Sequence, residues 1–106
     1  VQYYGLPIIT VLFNNQTLGM VRQWQTLMYD HRYSQTTLDR GPDFVKLAEA
    51  YGLNGCHVSN IADFEAAFKA ALASDKATVI DCAIDTDEMV HPMVPGGKPN
   101  TDFLLD

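Results

Sequence analysis

The stretch "LPIITVLFNN", residues 6–15, constrains this chain more than any other. Ile8, Ile9, Val11, Leu12 and Phe13 run together with only Thr10 among them. A strand with one wet face alternates apolar and polar side chains. A strand covered on both faces of a parallel sheet reads instead as a continuous apolar, β-branched run. Residues 8–13 therefore predict a strand buried on both faces. It ends on Asn14 and Asn15, and asparagine is a poor strand former. Directly beyond, "LGMVRQWQTLMY" spaces Val21, Trp24, Leu27 and Met28 along a helix that begins near Leu18 or Gly19. A glycine there costs the helix roughly 1 kcal/mol relative to alanine. A sequence that breaks its own local rules at one place usually does so for a site.

The remainder reads more simply. "HRYSQTTLDRGP" is a polar loop with a Gly-Pro stop. "PDFVKLAEAYG" predicts a helix with Phe44, Leu47, Ala48 and Tyr51 on one stripe, between Pro42 and Gly52. "GCHVS" is a short strand, and "NIADFEAAFKAALAS" a second amphipathic helix capped by Asn60. Its stripe is Phe64, Ala67, Phe68, Ala71 and Leu72. "ATVIDCAI" is a further buried strand, and residues 85–106 form an irregular tail. The order β-α-α-β-α-β predicts an α/β fold: a parallel sheet with flanking helices and right-handed crossovers. Three strands make a thin sheet whose edges need cover. Together with a start at Val1 instead of methionine, this gives the expectation of one domain portion, residues 1–106, cut from a longer polypeptide whose upstream domains are absent.

Seven Lys and Arg against thirteen Asp and Glu give a net charge of −6. That field repels a nucleic-acid backbone or an anionic membrane, so neither is expected as a partner. The apolar runs are far too short to span a bilayer, and no signal-peptide pattern opens the chain. Cys56 and Cys82 sit in separate apolar segments and read as small buried thiols in a reducing compartment. His31, His57 and His91 have no ligand spacing, so no metal role is expected of them.

Open α/β sheets bind ligands beyond the carboxyl ends of their strands, where Asn14 and Asn15 would lie. An amide oxygen is an uncharged acceptor that suits a hard cation such as magnesium. The loop beyond can add a main-chain carbonyl. A helix starting near Gly19 turns free N–H groups to the same place, where they favour phosphate, and glycine lets backbone approach a ligand. The pattern describes a metal–diphosphate anchor. It also describes a plain turn and helix cap, and spacing does not choose between them.

"NNQTLGMVRQWQ", "RYSQTTL", "PDFVKLAEAYG" and "HPMVPGG" occur in that order. Over nearly its whole length the chain thereby resembles the C-terminal end of acetohydroxyacid synthase (acetolactate synthase) catalytic large subunits. The double asparagine resembles the closing half of the general thiamine-diphosphate motif. "LGMVRQWQ" with "RYS" and "PMVP" narrows the likeness to this synthase. The resemblance implies the C-terminal portion of a thiamine-diphosphate-binding fold, with thiamine diphosphate and Mg2+ as cofactors and FAD in those parents that carry it. Asn15, through its side chain, and Thr17, through its carbonyl, would ligate the metal. Asn15, Gln16, Thr17, Leu18, Gly19 and Met20 would line the cofactor, the divalent ion neutralising the diphosphate that an acidic chain would otherwise repel. Trp24 would lie near the substrate entrance and influence acceptor preference, although the helical stripe reads equally as core. Gly96 and Gly97 would match a flexible segment closing over the site, where "GGKPN" departs from the usual family pattern. Arg32 and Tyr33 fit the pattern and read as a solvated arginine and a packed tyrosine.

The implied reaction joins two pyruvates, or pyruvate and 2-oxobutyrate, with loss of CO2, an early step toward branched-chain amino acids. The family's Gly-Asp-Gly, whose aspartate is another ligand, is missing, as is the glutamate that activates the cofactor. The fragment is thus expected to hold no catalytic residue and to be inactive alone. The parent is expected to form a homodimer or tetramer, with a regulatory small subunit in some members. Its expected location is cytoplasmic in a bacterium, and plastid or mitochondrial in a eukaryote. Three rivals stand beside this reading. One is another thiamine-diphosphate enzyme of pyruvate oxidase or glyoxylate carboligase type. Another is a non-enzymatic flavodoxin-like or receiver-like module, although Asp81 falls inside its strand and no phosphate loop is visible. The third is a purely structural assembly piece.

Overall fold

The computed structural model describes residues 1–105. Three parallel strands, β1 (Ile9–Asn14), β2 (Asn54–Val58) and β3 (Thr78–Ala83), form one sheet in the order β1-β3-β2. Thr78 is level with Ile9 on one side and Asn54 on the other, and Cys82 with Phe13 and Val58. The helices are α1 (Gly19–Met28), α2 (Phe44–Ala50) and α3 (Ile61–Ala73). This is the α/β architecture with a parallel sheet and flanking helices that the apolar periodicities predict.

The strand covered on both faces is β3 and not β1. Thr78, Ile80, Asp81 and Cys82 are buried, Ile80 completely. In β1, Thr10 and Phe13 are exposed, Phe13 to 70%. The physical reason is placement. The helices α2 and α3 lie on β2 and β3, and β1 is left at the margin of the sheet.

Each of these two helices carries its own local signals. Asn60 caps α3, its Oδ1 accepting from the Asp63 N–H at 2.9 Å while its Nδ2 donates to Asp63 Oδ2 at 2.6 Å. Asp43 caps α2 by accepting from the Lys46 N–H at 3.0 Å. Caps of this kind stabilise a helix by about 1 kcal/mol. At the other end of α2, Gly52 takes φ +72. Its N–H reaches the Glu49 carbonyl and that of Leu53 reaches Ala48, the hydrogen-bond pair of a Schellman stop.

One face of the sheet, with Ile9, Val11, Cys56, Val58, Ile80 and Cys82, meets Phe64, Ala67, Phe68 and Ala71 of α3. The opposite face is approached by α2 so closely that a Cβ on Gly55 would lie 2.9 Å from the Val45 carbonyl oxygen. Strand side chains alternate between faces, so these contacts define three layers. The expected stripes are only partly buried: Leu72, Leu47 and Tyr51 remain exposed. Neither Cys56 nor Cys82 is in a disulfide. Cys82 is buried and Cys56 half-buried, and burial pushes both thiols above their ordinary value.

The helix α1 stands off the sheet, and its stripe is inverted. Val21, Trp24, Leu27 and Met28 are all exposed, while the one buried α1 side chain is Gln23, 3% exposed. The tail is irregular, as its composition predicts. Met93 and Leu104 pair as an isolated bridge with Gly96 and Gly97 between them, Gly97 at φ +81; Asp106, part of the expected tail, lies outside the described residues. No helix among the described residues is long and apolar enough to cross a membrane.

Candidate functional site

At the carboxyl end of β1 the two asparagine side chains fold back on the chain. Asn14 Oδ1 accepts from the Gln16 N–H and Asn15 Oδ1 from the Thr17 N–H, each at 3.2 Å. These are consecutive Asx turns. Between them Gln16 adopts φ +53, a left-handed conformation that costs an L residue roughly 1–2 kcal/mol. Such strain persists only where surrounding contacts over-determine it. Here the carbonyl before Gln16, that of Asn15, accepts from Thr86 Oγ1 at 3.2 Å, and the Gln16 carbonyl accepts from the Leu38 N–H at 2.8 Å.

The opposing wall is residues 36–38. Thr17 is 6% exposed and its Oγ1 donates to the Thr36 carbonyl at 2.8 Å. The Leu18 N–H donates to the same oxygen at 2.8 Å, and Thr17 pairs with Thr37 in an antiparallel bridge. Reading the sequence as a polar loop missed Thr36, Thr37 and Leu38 here. The signal available was a pair of β-branched threonines followed by leucine, a short strand-like patch inside a hydrophilic run.

α1 then begins at Gly19 with no side-chain cap on its first turn, so its leading N–H groups are left for another partner. A Cβ on Gly19 would lie 2.8 Å from Asn15 Nδ2. The glycine that costs the helix stability is the space into which the Asn15 amide packs. An open cleft of about 660 Å3 lies here, lined by Asn14, Asn15, Gln16 and Thr17 and by residues 37–42 across from them.

The donors suit a hard cation. Asn15 Oδ1 uses one lone pair on the Thr17 N–H, and an amide oxygen has two. The Thr17 carbonyl is a second neutral oxygen on the same turn. No group of three His, Cys, Asp or Glu able to hold a metal occurs among the described residues. His57 instead pairs with Asp81, Nδ1 to Oδ2 at 3.2 Å.

Of the residues singled out from the sequence, Asn15, Gln16, Thr17, Leu18, Gly19 and Met20 form one contiguous turn and helix start. Leu18 and Met20 are about half exposed on either side of Gly19. Trp24, Gly96 and Gly97 stand apart from the cleft. Trp24 is 51% exposed and lines a separate shallow hollow with Val21, Gln25, Tyr29 and Arg32, so it packs no core among the described residues. Nothing lies within 4 Å of a Cβ built on Gly96 or Gly97. Arg32 is solvated, whereas the Tyr33 ring carries the Arg22 guanidinium at 3.8 Å and its hydroxyl meets Thr26 Oγ1 at 3.0 Å. Arg22 also donates from Nε to Asp87 Oδ1 at 2.6 Å. That hydrogen bond holds the Asp87 carboxyl below its ordinary value. The contact is therefore intact at neutral pH and is lost only as pH falls through the lowered value.

Residues 1–82 match the family described as thiamine pyrophosphate enzyme, C-terminal TPP binding domain, and the chain belongs to that family. Within it, the chain is similar to acetolactate synthase large subunits. It is 46% identical over 99 residues to the isozyme 2 large subunit of Escherichia coli, covering 93% of this chain and 18% of that protein. To the large subunit of Cyanidium caldarium it is 39% identical over 102 residues, 95% of this chain and 17% of that one. Among solved structures, the thiamine diphosphate-dependent 4-hydroxybenzoylformate decarboxylase of Rhodococcus jostii RHA1 superposes with a TM-score of 0.72 at 35% identity, covering 81% of this chain and 16% of that one. The chain thus spans less than a fifth of the relatives it matches. Membership in a cofactor-binding family displaces the flavodoxin-like or receiver-like reading.

Proposed function

We propose that this chain is the C-terminal portion of the diphosphate- and Mg2+-binding domain of an acetolactate synthase large subunit. The whole enzyme would condense two pyruvates, or pyruvate and 2-oxobutyrate, with release of CO2 in branched-chain amino acid biosynthesis. The observation that carries the reading is the Asn15 amide seated over Gly19, where a Cβ would approach its nitrogen to 2.8 Å. A Cβ at position 19 would collide with that amide, so the glycine lets Asn15 stay beside the cleft, as a ligand side chain there requires. Asn15 Oδ1 and the Thr17 carbonyl would hold Mg2+, with residues 15–20 against the diphosphate. Thiamine diphosphate, when bound, supplies the electron sink for decarboxylation. The residues of this chain bind and orient it; the uncapped N–H groups at Gly19 favour its negative end. Trp24, Gly96 and Gly97 would contribute to the substrate side. In this reading the parent is a homodimer or tetramer, with a regulatory small subunit and FAD in some members. It is cytoplasmic in a bacterium, or plastid or mitochondrial in a eukaryote.

The test is product analysis of the full-length protein with Mg2+ and thiamine diphosphate, given pyruvate alone and then pyruvate with 2-oxobutyrate. Acetolactate and acetohydroxybutyrate are expected. An aldehyde or acetyl phosphate in their place would move the assignment to a decarboxylase or pyruvate oxidase type of thiamine enzyme. In that protein Trp24→Leu should shift the ratio of the two products several-fold with cofactor retention unchanged, because its exposed indole touches no part of the Asn15 turn. Equal product ratios would remove Trp24 from the substrate side. The 106-residue chain alone should form no acetolactate in the same assay, since it spans less than a fifth of the synthase subunits it matches. Turnover by the purified chain would refute this.

A further inference from the structure

The segment following β3 touches both parts of the candidate site. The Ile84 N–H donates to the Asn14 carbonyl at 3.2 Å, and Thr86 Oγ1 donates to the Asn15 carbonyl at 3.2 Å. Asp87 then takes the Arg22 bond on α1. Three residues on, the peptide of Val90 pairs with the Gln23 side chain as two strands would pair. Its N–H donates to Gln23 Oε1 at 3.0 Å, and its carbonyl accepts from Gln23 Nε2 at 3.1 Å. A buried amide is costly unless both ends are bonded, so Gln23 and the Val90 peptide depend on each other. The same α1 begins at the glycine over which Asn15 packs.

We propose that Thr86 is a positioning residue for Asn15 and that Gln23 anchors the strap, residues 84–93, that carries it. The proposal rests on the reading of Asn15 and Thr17 as metal ligands. The two candidate ligands flank Gln16, whose backbone is held in a left-handed conformation at φ +53. Thr86 fixes the carbonyl on the near side of that residue and Leu38 the one on the far side. Removing the Thr86 hydroxyl takes away the hydrogen bond on the Asn15 carbonyl, so that peptide is held only through its N–H on Asn14 Oδ1, while every candidate ligand atom stays in the chain. By linkage, if the docked strap favours the metal-binding turn, then metal favours the docked strap by the same factor.

The experiment uses the full-length protein. Thr86 is exposed, so Thr86→Val is expected to keep the wild-type melting temperature of the metal-free protein. It should raise the Mg2+ concentration for half-maximal thiamine diphosphate retention about tenfold, and Thr86→Ser should restore it. Mg2+ with thiamine diphosphate should slow hydrogen exchange across residues 84–93 in the wild type, and Gln23→Met should abolish that slowing. If Gln23→Met fails to fold, Thr86→Val carries the test. A Mg2+ half-point in Thr86→Val within twofold of wild type, with Asn15→Ala still defective, overturns the strap alone. Unchanged retention in Asn15→Ala overturns the ligand reading and the strap with it.

Discussion

Asn15→Ala should reduce Mg2+-dependent retention of thiamine diphosphate by a hundredfold or more in the full-length protein. Losing a residue that merely orients a metal ligand already costs roughly 10–100-fold, and Asn15 is proposed as the ligand itself. The substitution also leaves the Thr17 N–H without the oxygen that accepts it at 3.2 Å, so the turn loses its geometry as well as a donor to the ion. Asn15→Asp separates the two losses from a failure to fold. It keeps an oxygen in the same place, adds charge that favours a divalent ion, and should retain cofactor. Gel filtration of protein loaded across a Mg2+ series, followed by assay of bound thiamine diphosphate, gives the answer. Wild-type retention in Asn15→Ala would leave the site without its central atom.

The second large effect is on folding. Gly55→Val should destabilise the protein by about 3 kcal/mol, at the upper end of overpacking costs. The built Cβ meets Val45 at its carbonyl oxygen, its Cα at 3.1 Å and its Cγ1 at 3.1 Å. Two of those atoms are backbone, so no rotamer change relieves the contact, and α2 has to lift from the sheet. For a domain of this size such a loss lowers the melting temperature by more than about 10 °C. Gly96→Ala is the control, because nothing stands near its Cβ, and surface changes of that kind stay within about 0.5 kcal/mol. A Gly55→Val protein melting with the wild type would show that α2 does not rest on β2 as described.

What was legible in the sequence was whatever is decided locally. The spacing of Phe64, Ala67, Phe68 and Ala71 marks one helical face, and that face meets the core. Asn60 and Gly52 announce the ends of helices, Asn60 through its side-chain oxygen and Gly52 through main-chain bonds, all within a few residues. The Asn14–Asn15 break and Gly19 also mark the place where two Asx turns lead from β1 into α1. What was not legible depends on partners far along the chain. Continuous apolarity in β1 does not reveal that the covering helices are laid over its neighbours. The stripe of α1 reads as core from its spacing alone, yet the side chain that is buried is Gln23, whose hydrogen-bonding partner is Val90. Thr36 and Thr37 meet Thr17 through a hydrogen bond and a bridge, and their strand-like pattern does not name that distant partner.

The inversion of α1 has a bearing on the order in which the molecule can be assembled. Its neighbours α2 and α3 own their caps. α1 has no side-chain cap, and two of its side chains, Arg22 and Gln23, find their partners 65 to 67 residues downstream. On a ribosome, the sheet-side helices can be complete while α1 still lacks its Asp87 and Val90 partners. A nascent chain halted after β3 would expose the Gln23 amide without Val90 and the Asn15 carbonyl without Thr86.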